Sequence, residues 1–518
     1  MPTSNYAQPG KQADSQENSL ASTAPSKKRA ISRSALWALA LFVVLWLFDY
    51  PKPSYDDLFY IGASLNIAAG GDFSNPLLAR QGFPSHYFFV YPPLHAQTLG
   101  LWLKCLGVSA LALTAFQMMM NFITSVSTIA VLRRRGAPEW LEWLVPLGVA
   151  AALLPSGLRP EPYSVALIMA GFAVIECGSR NWLGLFAGFS LIVLGAWAAP
   201  RFGPLAAGLL GLSIWKLWNQ DQPGKARGFS YLAGPFFAAG LVNLVIFLTM
   251  IDFRVHEFWS TFHLHASRVM TSKCHEVLLF FKYQRITAWP VWGVFMLLLA
   301  LVLRQPRNAQ ARLGFCVLGA LFCEGVIANI TIQIFWYVIL AMFAFAVALL
   351  AAPPRALRTV MPVLLGVPLL LTNAKPALHM LGQVTGKIET DAGPDRDQAL
   401  HLKCDATHKL LVESASARYL YGYQLPAGTI DLGFSAPFPG TCVTTSDLKP
   451  GDVYIVTHWG LGGLERDTYL PHVPRELWNP LRLRSLELDR HPRRIYIIPS
   501  EACKGLRADV ERTSRLRN

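Results

Sequence analysis

Charge is what this chain has least of. Asp, Glu, Lys and Arg make up 15% of its 518 residues, where an ordinary soluble domain carries about 25%. Acidic residues are the scarcer sign, 32 against 46 basic ones, for a net charge of +14. Zinc-finger spacing is absent, and so is a basic helix with interleaved aromatics, so the positive excess does not read as nucleic-acid binding. No CxxC pair occurs among the eight cysteines, which leaves a structural zinc site with little support. No duplicated halves are visible, and internal repeats are the usual mark of a secondary transporter.

Apolar residues fill the gap, at 53% of the chain. Between residues 34 and 372 they form long runs separated by short basic or aromatic-rich breaks. A run of about 20 apolar residues crosses a bilayer core as a helix, and unpaired backbone groups are not tolerated in lipid, so such runs are helical. The expected spans lie near 34–49, 109–132, 140–156, 162–178, 182–199, 203–218, 229–251, 289–303, 312–329, 331–351 and 357–372, about 11 in all. The fold class expected is a polytopic α-helical membrane protein with a C-terminal extracytoplasmic α/β domain.

Basic residues set the topology. With a cytoplasmic N-terminus, the inner loops hold Arg133, Arg134 and Arg135, then Arg180, then Lys216, Lys225 and Arg227. Further along they hold Arg304, Arg307 and Arg312, then Arg355 and Arg358. Every inner loop is basic, as retention of Lys and Arg on the cytoplasmic side requires. An odd number of spans then leaves the C-terminus outside. Residues 1–33 are Ser-, Ala- and Gln-rich and read as a disordered cytoplasmic tail. No small-x-small cleavage site follows the first run, so it reads as a retained helix in a transmembrane domain over 34–373.

Three outer segments are large: 50–108, 252–288 and the C-terminal 374–518. The last has strand-like pieces at 409–412, 429–434, 452–457, 481–488 and 494–499, with a helix-like piece at 415–423, the pattern of an α/β domain. Cys404, Cys442 and Cys503 fall there and Cys274 in an outer loop. An oxidising compartment permits a disulfide among them, Cys404 with Cys442 being one pairing, but connectivity is not readable.

Candidate chemistry sits in the outer segments. Ser54-Tyr55-Asp56-Asp57-Leu58-Phe59-Tyr60 places two carboxylates just past a membrane helix, where desolvation and a like-charged neighbour suit a general base. The plainer alternative is a pair that ends the helix and faces water. His86-Tyr87-Phe88-Phe89-Val90-Tyr91-Pro92-Pro93-Leu94-His95 is either an interfacial aromatic belt or a sugar-stacking surface. Glu161, in Gly157-Leu158-Arg159-Pro160-Glu161-Pro162, is a further outer carboxylate that Arg159 can neutralise. The segment with His256, Glu257, His263, His265, Arg268, Lys273, Lys282 and Arg285 can hold a phosphate or lie as an amphipathic helix on anionic headgroups. The spacing of His256, His263 and His265 matches no strong metal motif. Glu324, inside an expected span, is either a functional intramembrane group or a hydrogen-bonding partner of a neighbouring helix.

The order of these motifs resembles the GT-C class of membrane glycosyltransferases. The similar families are the protein mannosyltransferases, the lipid A aminoarabinose transferases and the rhizobial lipopolysaccharide galacturonosyl transferases. The likeness rests on Asp56-Asp57 with Tyr60, the helix 63–71, Tyr91-Pro92-Pro93-Leu94, Gly107-Val108-Ser109, the basic end at 133–136, and Arg159-Pro160-Glu161. It covers about residues 35–200 well and the remainder loosely. Glu161 stands where many relatives carry Asp, and Tyr91 where the aminoarabinose transferases carry Lys. The stretch 112–116 lacks the arginine of many relatives.

The resemblance implies an inverting transfer of a sugar from a polyprenyl-phosphate donor to an envelope glycan, lipid or protein. It implies a bacterial inner membrane, with the reaction on the outer face among membrane lipids and no nucleic acid involved. By motif match Asp56 is the base, with Asp57 and Glu161 orienting the acceptor or the base. Arg80, Arg201, Arg268, Lys282 and Arg285 are the candidate cations for the leaving phosphate. Tyr60, His86, Tyr91, Arg159 and His265 complete the expected substrate-binding set. No cofactor is required, and a divalent metal is compatible. The alternative class is a transporter or flippase of a lipid-linked sugar.

Overall fold

The structure, a computed structural model, describes residues 30–52, 57–78, 85–134, 139–154, 157–178, 181–220 and 225–270, together with parts of 366–385, parts of 410–431, and 453–457 and 495–498. Seven helices coincide with the first seven expected spans. They are α1 (Ala30–Leu47), α4 (Ala110–Arg134), α5 (Glu139–Leu153), α6 (Glu161–Cys177), α7 (Trp182–Ala198), α8 (Gly203–Gln220) and α9 (Lys225–Met250). The expected spans at 289–303, 312–329 and 331–351, most of 357–372, and Glu324 lie outside the described residues.

Two of the described helices, Ala110–Arg134 and Leu232–Met250, are long and apolar enough to cross a membrane. Their surroundings differ. Most of the first is buried among other helices, while α9 turns Phe237, Leu241, Val242, Leu244 and Val245 outward. Helix α1 likewise exposes Leu36, Leu39, Val43, Val44 and Leu47. Two helices with such bare apolar faces need lipid rather than water around them.

Helices α6 and α7 lie against each other through glycine. A Cβ on Gly171 would sit 2.5 Å from the carbonyl oxygen of Gly188, and one on Gly195 2.8 Å from that of Ser164. Ser164 Oγ donates to the Gly195 carbonyl across the same interface at 2.7 Å. Small residues let membrane helices approach this closely, and a hydroxyl then adds a hydrogen bond. Helix α4 buries Thr114, Thr124 and Thr128, whose hydroxyls donate to their own helix at Ala110, Met120 and Thr124, which makes these polar groups compatible with a buried face. At the basic end, Glu142 of α5 accepts from Ser34 of α1 at 3.2 Å and from Arg133 Nε of α4 at 3.1 Å, pinning three helices together.

The outer segment 50–108 is mostly helical. It contains α2 (Asp57–Ala68), a short turn at Pro76–Leu78, and α3 (Leu94–Leu106). Pro93 caps α3, and Gly107, at φ 84°, ends it before α4 begins. The left-handed backbone there suits glycine alone. Helix α10 (Val255–Met270) follows α9 on the same side of the bundle.

The C-terminal strands are β1 (Leu410–Val412), β2 (Ile430–Asp431), β3 (Val453–Thr457) and β4 (Ile495–Ile498), each inside an expected strand piece. They form one sheet in the order β2-β1-β3-β4. β1 runs parallel to both β2 and β3, and β4 is antiparallel to β3. The fifth piece, 481–488, lies outside the described residues, as do Cys274, Cys404, Cys442 and Cys503.

Candidate functional site

Asp57 opens α2, where an acidic side chain meets the positive end of the helix dipole. It does not face water. Its relative exposure is 0%. Oδ1 accepts the backbone N–H of Leu158 at 2.8 Å, and Oδ2 accepts the hydroxyl of Tyr423 at 3.3 Å. The reading of a solvent-facing helix end is therefore corrected for Asp57. Burying a carboxylate is costly unless donors converge on it, and these two come from chain positions 101 and 366 residues away.

The turn that supplies Leu158 also supplies a buried ion pair. Arg159 Nε lies 3.0 Å from Glu161 Oε1, with side-chain exposures of 8% and 0%. Pro160 caps α6 and Glu161 sits in its first turn, so the carboxylate also meets the helix dipole. Arg159 reaches on toward α2: Nη2 donates to Tyr60 Oη at 3.0 Å, and the guanidinium lies 4.9 Å from the Tyr60 ring centroid. Tyr60 and Tyr91 join hydroxyl to hydroxyl at 3.3 Å. From below, Gln117 Nε2 of α4 donates to the Arg159 carbonyl at 2.8 Å. Asp57, Tyr60, Tyr91, Arg159 and Glu161, all expected from the sequence, thus meet where α2, α4 and α6 come together.

The middle of the aromatic stretch 86–95 takes a different place from either expected reading. Phe88, Phe89 and Val90 are buried with Phe59, Phe73 and Phe258, and the Phe59–Phe88 and Phe89–Phe258 rings meet edge to face. They form an inner core joining 50–108 to α10. An interfacial belt or a sugar platform needs exposed rings, which these are not. Ser85 Oγ donates to Glu257 of α10, and Arg254 lies 4.6 Å over the Tyr87 ring. His95 is buried too, between Phe116 and Tyr163, and desolvation pushes its pKa down to about 3, so the imidazole is neutral.

His86 is exposed and lies 2.8 Å from Asp72 Oδ2 on the surface. The Ser74 hydroxyl first, and His86 after it, hold the Asp72 pKa below its usual value. Arg201 falls in the 3₁₀ turn Pro200–Phe202, and His265 and Arg268 in α10. Asp56, Arg80, Lys282 and Arg285 lie outside the described residues. Among the described residues no three His, Cys, Asp or Glu side chains gather as metal ligands.

Sequence reasoning did not single out Tyr423, Arg418 or Gln117. Tyr423 closes a turn with Gly422, both in left-handed backbone at φ 68° and 56°. Arg418, 3% exposed, donates to Asp49 and to the Pro51 carbonyl at the end of α1. The Gly in Tyr421-Gly422-Tyr423 signals a turn, but nothing local points to partners more than 300 residues earlier.

No known protein family and no curated protein matches the chain. Among solved structures, the crystal structure of ArnT from Cupriavidus metallidurans bound to undecaprenyl phosphate matches with a TM-score of 0.47 and 12% sequence identity, over 90% of this chain and 98% of that one.

Proposed function

We propose that the protein is an inverting glycosyltransferase that moves a sugar from a polyprenyl-phosphate donor to an envelope glycan, lipid or protein acceptor on the extracytoplasmic face. The observation that carries this reading is the meeting of Asp57, Arg159 and Glu161, all buried, with Tyr60 and Tyr91. Buried charge costs free energy unless it is paired and hydrogen-bonded. Here it is gathered from separate stretches to one junction, and Asp56, the residue matched to the first acid of the motif, is joined to that junction by one peptide bond.

In this reading Asp56 takes the proton of the acceptor hydroxyl as its oxygen attacks the anomeric carbon. The bond from that carbon to the phosphate oxygen breaks, and polyprenyl phosphate leaves with the electron pair. A glycosidase needs a second carboxyl group to protonate its alkoxide leaving group. A phosphate leaves without one and needs cations instead. Arg80, Arg201, Arg268, Lys282 and Arg285 are the candidates, in the two outer segments and at the start of α8. Asp57 and Glu161 act by holding the loop and Arg159 in place, since both carboxylates are already engaged. A single displacement inverts the anomeric centre.

The test is label transfer from a panel of radiolabelled polyprenyl-phosphate sugars into an envelope extract, by the purified wild type and by Asp56→Asn. General-base catalysis contributes about 10²–10⁴ in rate, so a fall of at least about a hundredfold with donor binding retained supports the assignment. Equal transfer by both proteins removes Asp56 from the reaction. Failure of the wild type with every donor overturns the glycosyltransferase reading.

A further inference from the structure

The C-terminal segment reaches the acid junction. Arg418 is 3% exposed and binds Asp49 together with the carbonyls of Asp49 and Pro51, which locks this segment to the end of α1. Gln424 Nε2 donates to the Val108 carbonyl at 2.8 Å, a second tie, to the approach of α4. Between these two anchors the chain reverses. The Tyr423 N–H bonds the Ala417 carbonyl at 3.0 Å and the Gly422 N–H the Arg418 carbonyl at 2.9 Å. Tyr423 itself has φ 68°, a left-handed backbone that a bulky residue keeps only when its surroundings hold it there. The ring is 1% exposed, in a buried cluster that includes Leu58, Leu94 and Tyr421, and its hydroxyl ends on Asp57 Oδ2 at 3.3 Å.

We propose that Tyr423 is a positioning residue for Asp57, and that the C-terminal segment is thereby a working part of the site. The hydroxyl donates to the ionised form of Asp57, which favours that form and fixes the carboxylate plane. Asp57 is closed to water, so bulk solvent does not replace the donor when the hydroxyl is removed. Asp57 also accepts the Leu158 N–H, so the carboxylate that Tyr423 fixes holds the turn carrying Arg159 and Glu161. The role in transfer rests on the glycosyltransferase reading; the link between Tyr423 and Asp57 does not.

Tyr423→Phe, in the full-length protein in detergent, removes the hydroxyl and keeps the ring and the turn. Two readouts separate the role from the reaction. The Asp57 carboxyl band, isolated as the infrared difference between wild type and Asp57→Asn, is titrated with pH; its midpoint is expected to rise by about one unit in Tyr423→Phe. 3-Fluorotyrosine at position 423, a stronger donor, is expected to lower the midpoint, a change of sign that loss of structure does not produce. Sugar transfer by Tyr423→Phe is expected to fall about tenfold in kcat, with KM for the donor unchanged within about twofold. An unmoved titration in both variants overturns the proposal. A shifted titration with unchanged kcat overturns the positioning role. Shifts of opposite sign in a protein that transfers no sugar from any donor uphold the Tyr423–Asp57 link and overturn the glycosyltransferase reading instead.

Discussion

Removing the guanidinium of Arg159 is expected to destabilise the fold heavily, and its size follows from the contacts. Arg159 faces Glu161 at 3.0 Å, and Glu161 has no exposed side-chain surface. Breaking a buried pair by deleting one partner costs about 3–5 kcal/mol. The hydrogen bond to Tyr60 Oη at 3.0 Å and the 4.9 Å contact with the Tyr60 ring are lost as well. A hydrogen bond to a charged group contributes about 1.5–3 kcal/mol and a desolvated cation–π contact about 2. These terms share one side chain and do not add, so about 4 kcal/mol is expected for Arg159→Met. Replacing both members of the pair, Arg159→Met with Glu161→Gln, is expected to recover at least about 2 kcal/mol of that loss. The assay is reversible SDS unfolding of the purified protein in mixed micelles, followed by circular dichroism. A single variant within about 1 kcal/mol of wild type, or a double variant no better than the single, refutes the account of a buried, mutually dependent pair.

Three further outcomes follow from the geometry. Burial first, and Arg418 in addition, lower the Lys52 pKa to about 8 despite the opposing pull of Asp49. The unfolded chain, with Lys near 10.4, therefore binds more protons between about pH 8 and pH 10, and stability is expected to rise with pH across that window. Lys52→Met should flatten the rise in thermal midpoint between pH 7.5 and 9.5; an identical slope would refute the assignment. At Gly62 a Cβ would overlap the Asn75 side-chain amide, whose Nδ2 donates to the Phe59 carbonyl at 3.1 Å. Gly62→Ala is expected to cost about 1–3 kcal/mol by overpacking, read in the same unfolding assay. His86→Ala, which removes an exposed contact with Asp72 and an edge contact with the Tyr87 ring, is expected to change stability by less than about 1 kcal/mol.

Much of the helical layout was legible because lipid imposes one rule on every residue. A spanning segment must be apolar and must satisfy its own backbone, so hydropathy alone places α1 and α4 to α9 to within a few residues. The strand pieces were legible for a related reason, since short β-branched and aromatic runs such as Val453–Thr457 and Ile495–Ile498 carry their preference locally. The segment 50–108 was less legible. Its helices α2 and α3 are half apolar and short, and their pattern does not separate them from an interfacial loop. The aromatic residues Phe88 and Phe89 look alike whether they face a membrane surface or a core, and their burial against Phe258 depends on a helix about 170 residues later.

Residue types and motif order by themselves name the members of the acid junction: Asp57, Tyr60, Tyr91, Arg159 and Glu161. Their pairing was decided by tertiary structure. Whether Asp57 ends a helix in water or is sealed beneath Leu158 and Tyr423 depends on which distant donors arrive, and one peptide N–H or one phenol is indistinguishable in sequence from any other. The same holds for Arg418, a cation among 46, which becomes an anchor only because the end of α1 lies against it. Local chemistry is written residue by residue, while burial is a property of what the rest of the chain places on top.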